Sequence, residues 1–202
     1  SGTKTVSAGA ALVDITDDKF ATTSATIAAT VLSGIGGKTS GAVTLKNKIR
    51  MSGSQSAITT ALVGTSAVVA SQNNTEAKVT TAVSVAQGKA IAEVAKIKGI
   101  FSGGVTDSLS NLASGGNTDA DFDVITGDDG TVAVNIDDDK FETTSATITS
   151  ADLRAVGAAT TGQVSIAKAV KITGAASDLT ATLVSGTKTV SAGAALVDIT
   201  DD

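Results

Sequence analysis

The sequence predicts an α/β or mainly β fold, a repeat solenoid of stacked short parallel strands with short helices. Three observations predict it. Residues 1–18, SGTKTVSAGAALVDITDD, return unchanged as Ser185 to Asp202, a period of 184 residues. A diverged repeat lies inside that period: Leu12–Val63 aligns without a gap to Ala133–Val184 at an offset of 121, with about 22 of 52 positions identical. Proline is absent, where average usage of about 5% predicts roughly ten. Long-period repetition belongs to arrays whose units bury their apolar faces against their neighbours. A chain without proline can run uninterrupted backbone ladders through such a stack.

The organisation follows from the repeats. Residues 1–184 read as one full period of a tandem array and 185–202 as the start of the next, with 12–63 and 133–184 as diverged sub-repeats. Hydrophobic residues make up 42% of the chain and aromatics only 2%. The core is therefore expected from Ala, Val, Ile and Leu, which suit thin regular layers.

The strands expected in order are Leu12–Thr16, Ala42–Leu45, Lys48–Ser52, Ala67–Ala70, Thr81–Val85, Gly104–Thr106, Asp121–Thr126, Thr131–Ile136, Gln163–Ile166 and Val170–Thr173. Each is a short run of aliphatic or β-branched residues. Val43, Leu45, Ile49 and Met51 are expected to point inward. The aligned swaps Leu45/Ile166, Ile49/Val170, Met51/Ile172 and Ile58/Leu179 keep apolar character, as core positions would. The helices expected are Thr23–Ser33, Ser54–Val63, Val85–Lys98, Ser108–Ala113, Thr144–Val156 and Ala175–Val184. Ser84 with Gln87 reads as a capping box, and Gly99 stands where a C-terminal cap belongs. Met51-Ser52-Gly53, Val105-Thr106-Asp107 and Ile172-Thr173-Gly174 are each followed five positions on by an aliphatic residue. This reads as a strand end, a tight turn and a short helix. An all-β solenoid is the alternative, favoured by the Thr and Val content and opposed by the Ala-rich run AQGKAIAEVAKIK.

AVSVAQGKAIAEVAKI, VTDSLSNLASGG, VSIAKAVKITGAASDLTATL and DITDDKFATTSATI resemble the degenerate tandem repeats of giant bacterial, cyanobacterial-type, cell-surface adhesin and S-layer-like proteins. The resemblance covers most of the chain. It implies an extracellular or cell-surface structural or adhesive role, and it brings no catalytic residues with it.

Composition narrows the chemistry. His and Cys are absent, which removes the commonest general base, thiol nucleophiles and the usual zinc sites. A net charge of −5 argues against nucleic acid as a partner. No apolar run approaches the roughly 18 residues needed to span a bilayer. No nucleophile elbow, phosphate loop or HExxH pattern occurs, and no enzyme is expected. GIGGK (Gly34–Lys38) lacks the phosphate-loop spacing and reads as a turn after a helix.

Carboxylates are the remaining candidates. Asp14, Asp17 and Asp18, then Asp119, Asp121 and Asp123, then Asp128 and Asp129, then Asp137, Asp138 and Asp139, have the close spacing from which calcium takes oxygen ligands. Asp119-x-Asp121-x-Asp123 opens like a calcium loop but lacks the later Gly and Glu. The other reading is that these residues solvate turns and cap helices. Cofactors are accordingly none, or calcium. Lys46, Lys48 and Arg50 alternate and would share one outward strand face, either solvated or in contact with an acidic neighbour such as the next strand, a polysaccharide or an anionic envelope. Phe20 and Phe141 recur in the same DDKF context and read as core plugs. The function expected is a structural repeat segment of an extracellular filament or giant surface protein, giving length, stiffness and self-association. The alternative is a ligand-binding adhesin module, calcium-stabilised in one version. Its partners would be itself, through neighbouring repeats and parallel chains, and the cell envelope.

Overall fold

Alternating aliphatic residues build strands of two to five residues, and the chain after a strand either turns into a second strand or opens a helix. The structure is a computed structural model that describes residues 9–16, 26–63, 68–138, 147–184 and 190–200. Among these residues the fold is mixed α/β, with seven helices and mostly parallel sheets. The helices exclude the all-β alternative. The chain divides into two compact units, Ser1–Thr81 with Ala90–Ile100, and Ala82–Lys89 with Phe101–Asp202.

In the first unit the order is β1 (Val13–Ile15), β2 (Ile27–Ala28), α1 (Ala29–Gly36), β3 (Val43–Leu45), β4 (Arg50–Gly53), α2 (Gln55–Leu62), β5 (Val68–Ala70) and β6 (Thr75–Val79). After α3 (Val85–Ala92), which has residues in both units, comes β7 (Ile97–Phe101). One sheet is β1-β3-β5, parallel, with Val13 opposite Val43 and Val43 opposite Val68. The other has the order β2-β4-β6-β7, and in it Ile27 faces Met51 and Met51 faces Ala77 in parallel. Helices α1 and α2 pack on each other.

The second unit repeats the scheme. Its elements are β8 (Val105–Asp107), α4 (Leu109–Leu112), β9 (Ala113–Ser114), β10 (Asn117–Thr118), α5 (Ala120–Asp128), β11 (Val134–Ile136), β12 (Ile148–Thr149), α6 (Ser150–Ala159), β13 (Val164–Ile166), β14 (Val170–Gly174), α7 (Ala176–Leu183), β15 (Val190–Ala192) and β16 (Ala195–Ile199). The parallel sheets are β15-β13-β11-β8 and β12-β14-β16. In both units, the parallel strands whose register is given above and those of the second unit lie 24 to 30 residues from their partners in sequence. A hairpin, β9–β10, is antiparallel across Gly115 and Gly116. Both glycines have positive φ (62° and 79°), the backbone a two-residue hairpin turn demands.

The core is aliphatic and thin, as the composition implies. Leu45, Ile49, Met51, Ile58, Ile136, Val170 and Ile172 are fully buried, and Val43, Val164, Ile166 and Leu179 nearly so. Burying one such side chain contributes about 1.5–3 kcal/mol. The 121-residue alignment carries element onto element: β1, β2, α1, β3, β4 and α2 correspond to β11, β12, α6, β13, β14 and α7.

Several expected boundaries differ. Asp121–Thr126, expected as a strand, lies within α5. Asp119 caps that helix through its side chain, and Phe122 and Ile125, three apart, both reach the core. The helix expected over Val85–Lys98 stops at Ala92. Lys96 then takes φ 65°, and Gly99 lies within β7 rather than at a helix cap. Thr81–Val85 is not a strand; Val83 makes one isolated bridge to Val105, and Val85 opens α3. The strand in that region is β6, whose inward residues Thr75, Ala77 and Val79 are mostly small. The helices expected from Thr23 and Thr144 begin at Ala29 and Ser150, because Ile27 and Ile148 pair as strand residues with Met51 and Ile172. Residues 23–25 and 144–146, where those two were expected to begin, lie outside the described residues.

Candidate functional site

The features that recur in this chain are seams between successive strand–helix segments. Each starts where a helix must give way to the next strand. Helix α1 ends at Gly36, capped by Gly37, and the GIGGK run is that helix end and its turn. Two residues later the Thr39 hydroxyl accepts the Gly41 N–H at 2.9 Å and donates to the Ala11 carbonyl of the preceding segment at 2.5 Å. Ser40 N–H donates to the Gly9 carbonyl at 2.7 Å. After α6 the same arrangement returns. The Thr160 hydroxyl accepts Gly162 N–H at 2.9 Å and donates to the Val132 carbonyl at 2.6 Å, while Thr161 N–H reaches the Gly130 carbonyl at 2.8 Å. Thr160 is only 2% exposed. The glycines are required by contact: a Cβ on Gly41 or Gly162 would stand 2.3 Å from the carbonyl oxygen of Ala11 or Val132.

A second kind of seam caps helices. The first N–H groups of a helix have no partner within it. In α2, α3 and α4 one of them is met by a side chain from the segment that follows. Thr81 Oγ1 accepts from Gln55 N–H at 2.9 Å, Asp107 Oδ2 from Val85 N–H at 2.9 Å, and Asp138 Oδ2 from Leu109 N–H at 2.5 Å. Local caps add to these. Ser54 accepts from Ala57 N–H, and the expected Ser84–Gln87 box forms reciprocally, at 3.0 and 3.2 Å.

This places the aspartates. Asp138 is buried and serves α4. Asp137 pairs with Lys168 at 2.9 Å. Asp119 accepts Asp121 N–H at 2.8 Å, Asp121 pairs with Lys89 at 2.6 Å, and Asp123 stands in the first turn of α5, where the helix dipole favours a carboxylate. Asp119 and Asp121 line a cavity of about 210 Å³ with Asp107 and Asn111, and Asp123 and Asp138 lie outside it. Among the described residues, no three acidic side chains gather in a group that could hold a metal ion. Asp17, Asp18, Asp139, Phe20 and Phe141 lie outside the described residues. Sequence reasoning singled out Asp129 for its charge, beside Asp128, and read Asp107 in a turn whose side chain can cap a helix start, without finding what either touches. Asp129 binds Phe101 N–H at 2.8 Å and the Thr131 hydroxyl at 2.7 Å. The signal for Asp107 was its alignment with a turn glycine.

Lys46, Lys48 and Arg50 do not share one strand face. They span the corner between β3 and β4. Lys46 pairs with Asp14 of β1 at 3.3 Å, and Arg50 pairs with Glu76 of β6, so two of the three meet acids on the adjoining strands. In the aligned copy Lys171 pairs with Asp198 of β16 at 2.7 Å. Among the described residues every buried side-chain nitrogen and oxygen has a partner. No described helix is long and apolar enough to cross a membrane. The seams match donors to acceptors between neighbouring segments, and their chemistry is cohesion.

No protein-family model, curated protein or solved structure matches the chain.

Proposed function

We propose that this chain is a structural repeat segment of an extracellular filament or giant surface protein. Its activity is to supply length, stiffness and self-association. On this reading each unit is a stack of solenoid coils, strand–strand–helix, held by parallel ladders on two faces and by the threonine and capping seams between them. One observation carries the proposal: the Thr39–Gly41 seam and the Thr160–Gly162 seam make the same hydrogen bonds to the same kind of neighbour, 121 residues apart. A recurring cohesive contact with a close-approach glycine is what repeated stacking needs. The cell-surface location rests on the resemblance of the repeats. The reading assigns the aspartates to capping and ion pairing in preference to calcium.

Fibre diffraction and electron microscopy of the parent protein test the proposal. The expected result is a filament with a repeat of about 4.8 Å along its axis from ladders of stacked coils, and a melting temperature unchanged by a calcium chelator. Dispersed particles without that repeat would overturn the filament reading. A melting temperature that collapses in chelator would move the aspartates to a calcium role.

A further inference from the structure

The eighteen residues that occur twice put one strand in two settings, and the settings use opposite edges. Val13-Asp14-Ile15 of β1 and Val197-Asp198-Ile199 of β16 are the same three residues of the repeat. In the first setting Val13 N–H donates to the Ala42 carbonyl at 3.0 Å, and the Ile15 carbonyl accepts from Lys46 N–H at 2.9 Å. In the second, Thr200 N–H, the counterpart of Thr16, donates to the Gly174 carbonyl at 3.1 Å. Backbone groups of alternate residues in a strand point to opposite edges. The first copy therefore bonds through the edge carrying residues 13 and 15, and the second through the edge carrying the counterparts of 14 and 16.

Three further matches fit the two settings together. Among the described residues both strands are terminal in their sheets, β1 in β1-β3-β5 and β16 in β12-β14-β16, so each has the other's used edge without a described partner strand. The same side chains share a sheet face: Val13 and Ile15 are opposite buried Val43 and Leu45, and Val197, itself 44% exposed, is opposite buried Ile172. The aspartate between them pairs with Lys46 in one copy and with Lys171 in the other. What differs is coverage. Ile15, with β3 beside it, is 8% exposed, whereas Ile199, with no described strand beyond it, is 62% exposed.

We infer that this segment is the junction strand between successive 184-residue periods, and that the open edge of β16 is the seat of β3 from a second copy of the repeat. The joined ladder runs β14, β16, then β3 of the following period. Val197 N–H meets the carbonyl of the following Ala42, Ile199 is covered as Ile15 is, and the Asp198 carboxylate stands between Lys171 and the following Lys46. The inference rests on the array reading, which supplies the second copy.

The test compares the 202-residue chain with a chain of two complete periods, by amide hydrogen exchange. In the single chain, Val13 and Thr200 amides are protected, and Val197 and Thr16 exchange at open-edge rates. In the two-period chain the internal segment protects both Val197 and Thr200, with Val197 exchange slowed by at least about 100-fold. Ile199→Asp gives a second readout. It leaves the melting temperature of the single chain within about 1 °C, because the side chain is exposed there, and lowers that of the two-period chain by several degrees. Unchanged Val197 exchange in the two-period chain, or an Ile199→Asp effect equal in both chains, overturns the junction. Absence of further copies in the parent protein would overturn the array reading while leaving the measured edge pairing intact.

Discussion

Thr160→Val removes one hydroxyl and keeps the shape of the side chain. Three contacts go with it, the donation to the Val132 carbonyl at 2.6 Å, a longer one to the Gly130 carbonyl at 3.3 Å that Thr161 N–H still satisfies, and the acceptance from Gly162 N–H at 2.9 Å. The site is almost completely buried, so water cannot replace the lost partners without opening the seam. Each buried group left unpaired costs about 1–3 kcal/mol, which puts the substitution at about 2–6 kcal/mol for the two. For a chain of this size that is a fall in melting temperature of roughly 4–24 °C. Urea and thermal unfolding followed by circular dichroism measure it. Two controls make the result specific. Thr160→Ser keeps the hydroxyl and is expected to lose less than about 1.5 kcal/mol, the worth of the deleted methyl. Thr39→Val acts at the half-exposed counterpart, where water reaches the seam, and is expected to cost about half as much. A Thr160→Val protein within about 0.5 kcal/mol of the parent, or a Thr160→Ser protein equally damaged, would refute the claim that the hydroxyl holds the segments together.

Three other outcomes follow from the same geometry. Gly162→Ala and Gly41→Ala each push a methyl against a backbone carbonyl, and each is expected to cost about 3 kcal/mol or more, read as a loss of soluble folded protein or a lower urea midpoint. Asp138→Ala uncaps α4 and is expected to cost about 1–2 kcal/mol, with Asp138→Asn retaining an acceptor and losing less; equal losses would speak against capping. Lys96→Gly relieves a left-handed residue before β7 and is expected to raise stability by about 0.5–1 kcal/mol in the same unfolding assay, a gain that Lys96→Ala should not reproduce.

Much of the layering was legible because it is written in local pattern. The inward set Val43, Leu45, Ile49 and Met51 follows from alternation across a corner. The three strand-turn-helix echoes each become a strand, one residue and a helix, at Ser54, Ser108 and Ala175. The misreadings have a common physical origin. Asp121–Thr126 is rich in β-branched residues, but the cap at Asp119 and the spacing of Phe122 and Ile125 outweigh that preference. β6 escapes notice because its inward residues include Thr75 and Ala77, which carry little hydrophobic signal. The seams were half legible. Thr39/Thr160 and Gly41/Gly162 are identical in the offset alignment, but nothing local says that their partners are Ala11 and Val132. Asp138 was singled out for its charge, and its partner, Leu109 N–H, is 29 positions earlier. Sequence shows which residues recur; only the fold shows what they touch.

The capping seams impose an order in time. The helix starts at Gln55, Val85 and Leu109 each wait for an acceptor that lies 22 to 29 residues further along. At a synthesis rate of about 5–20 residues per second, that is a delay of roughly 1–6 s per helix on the ribosome. At these three helix starts the newly made segment therefore finishes the one before it, and completion of the helix follows the order of synthesis like a tooth of a zip closed by its successor.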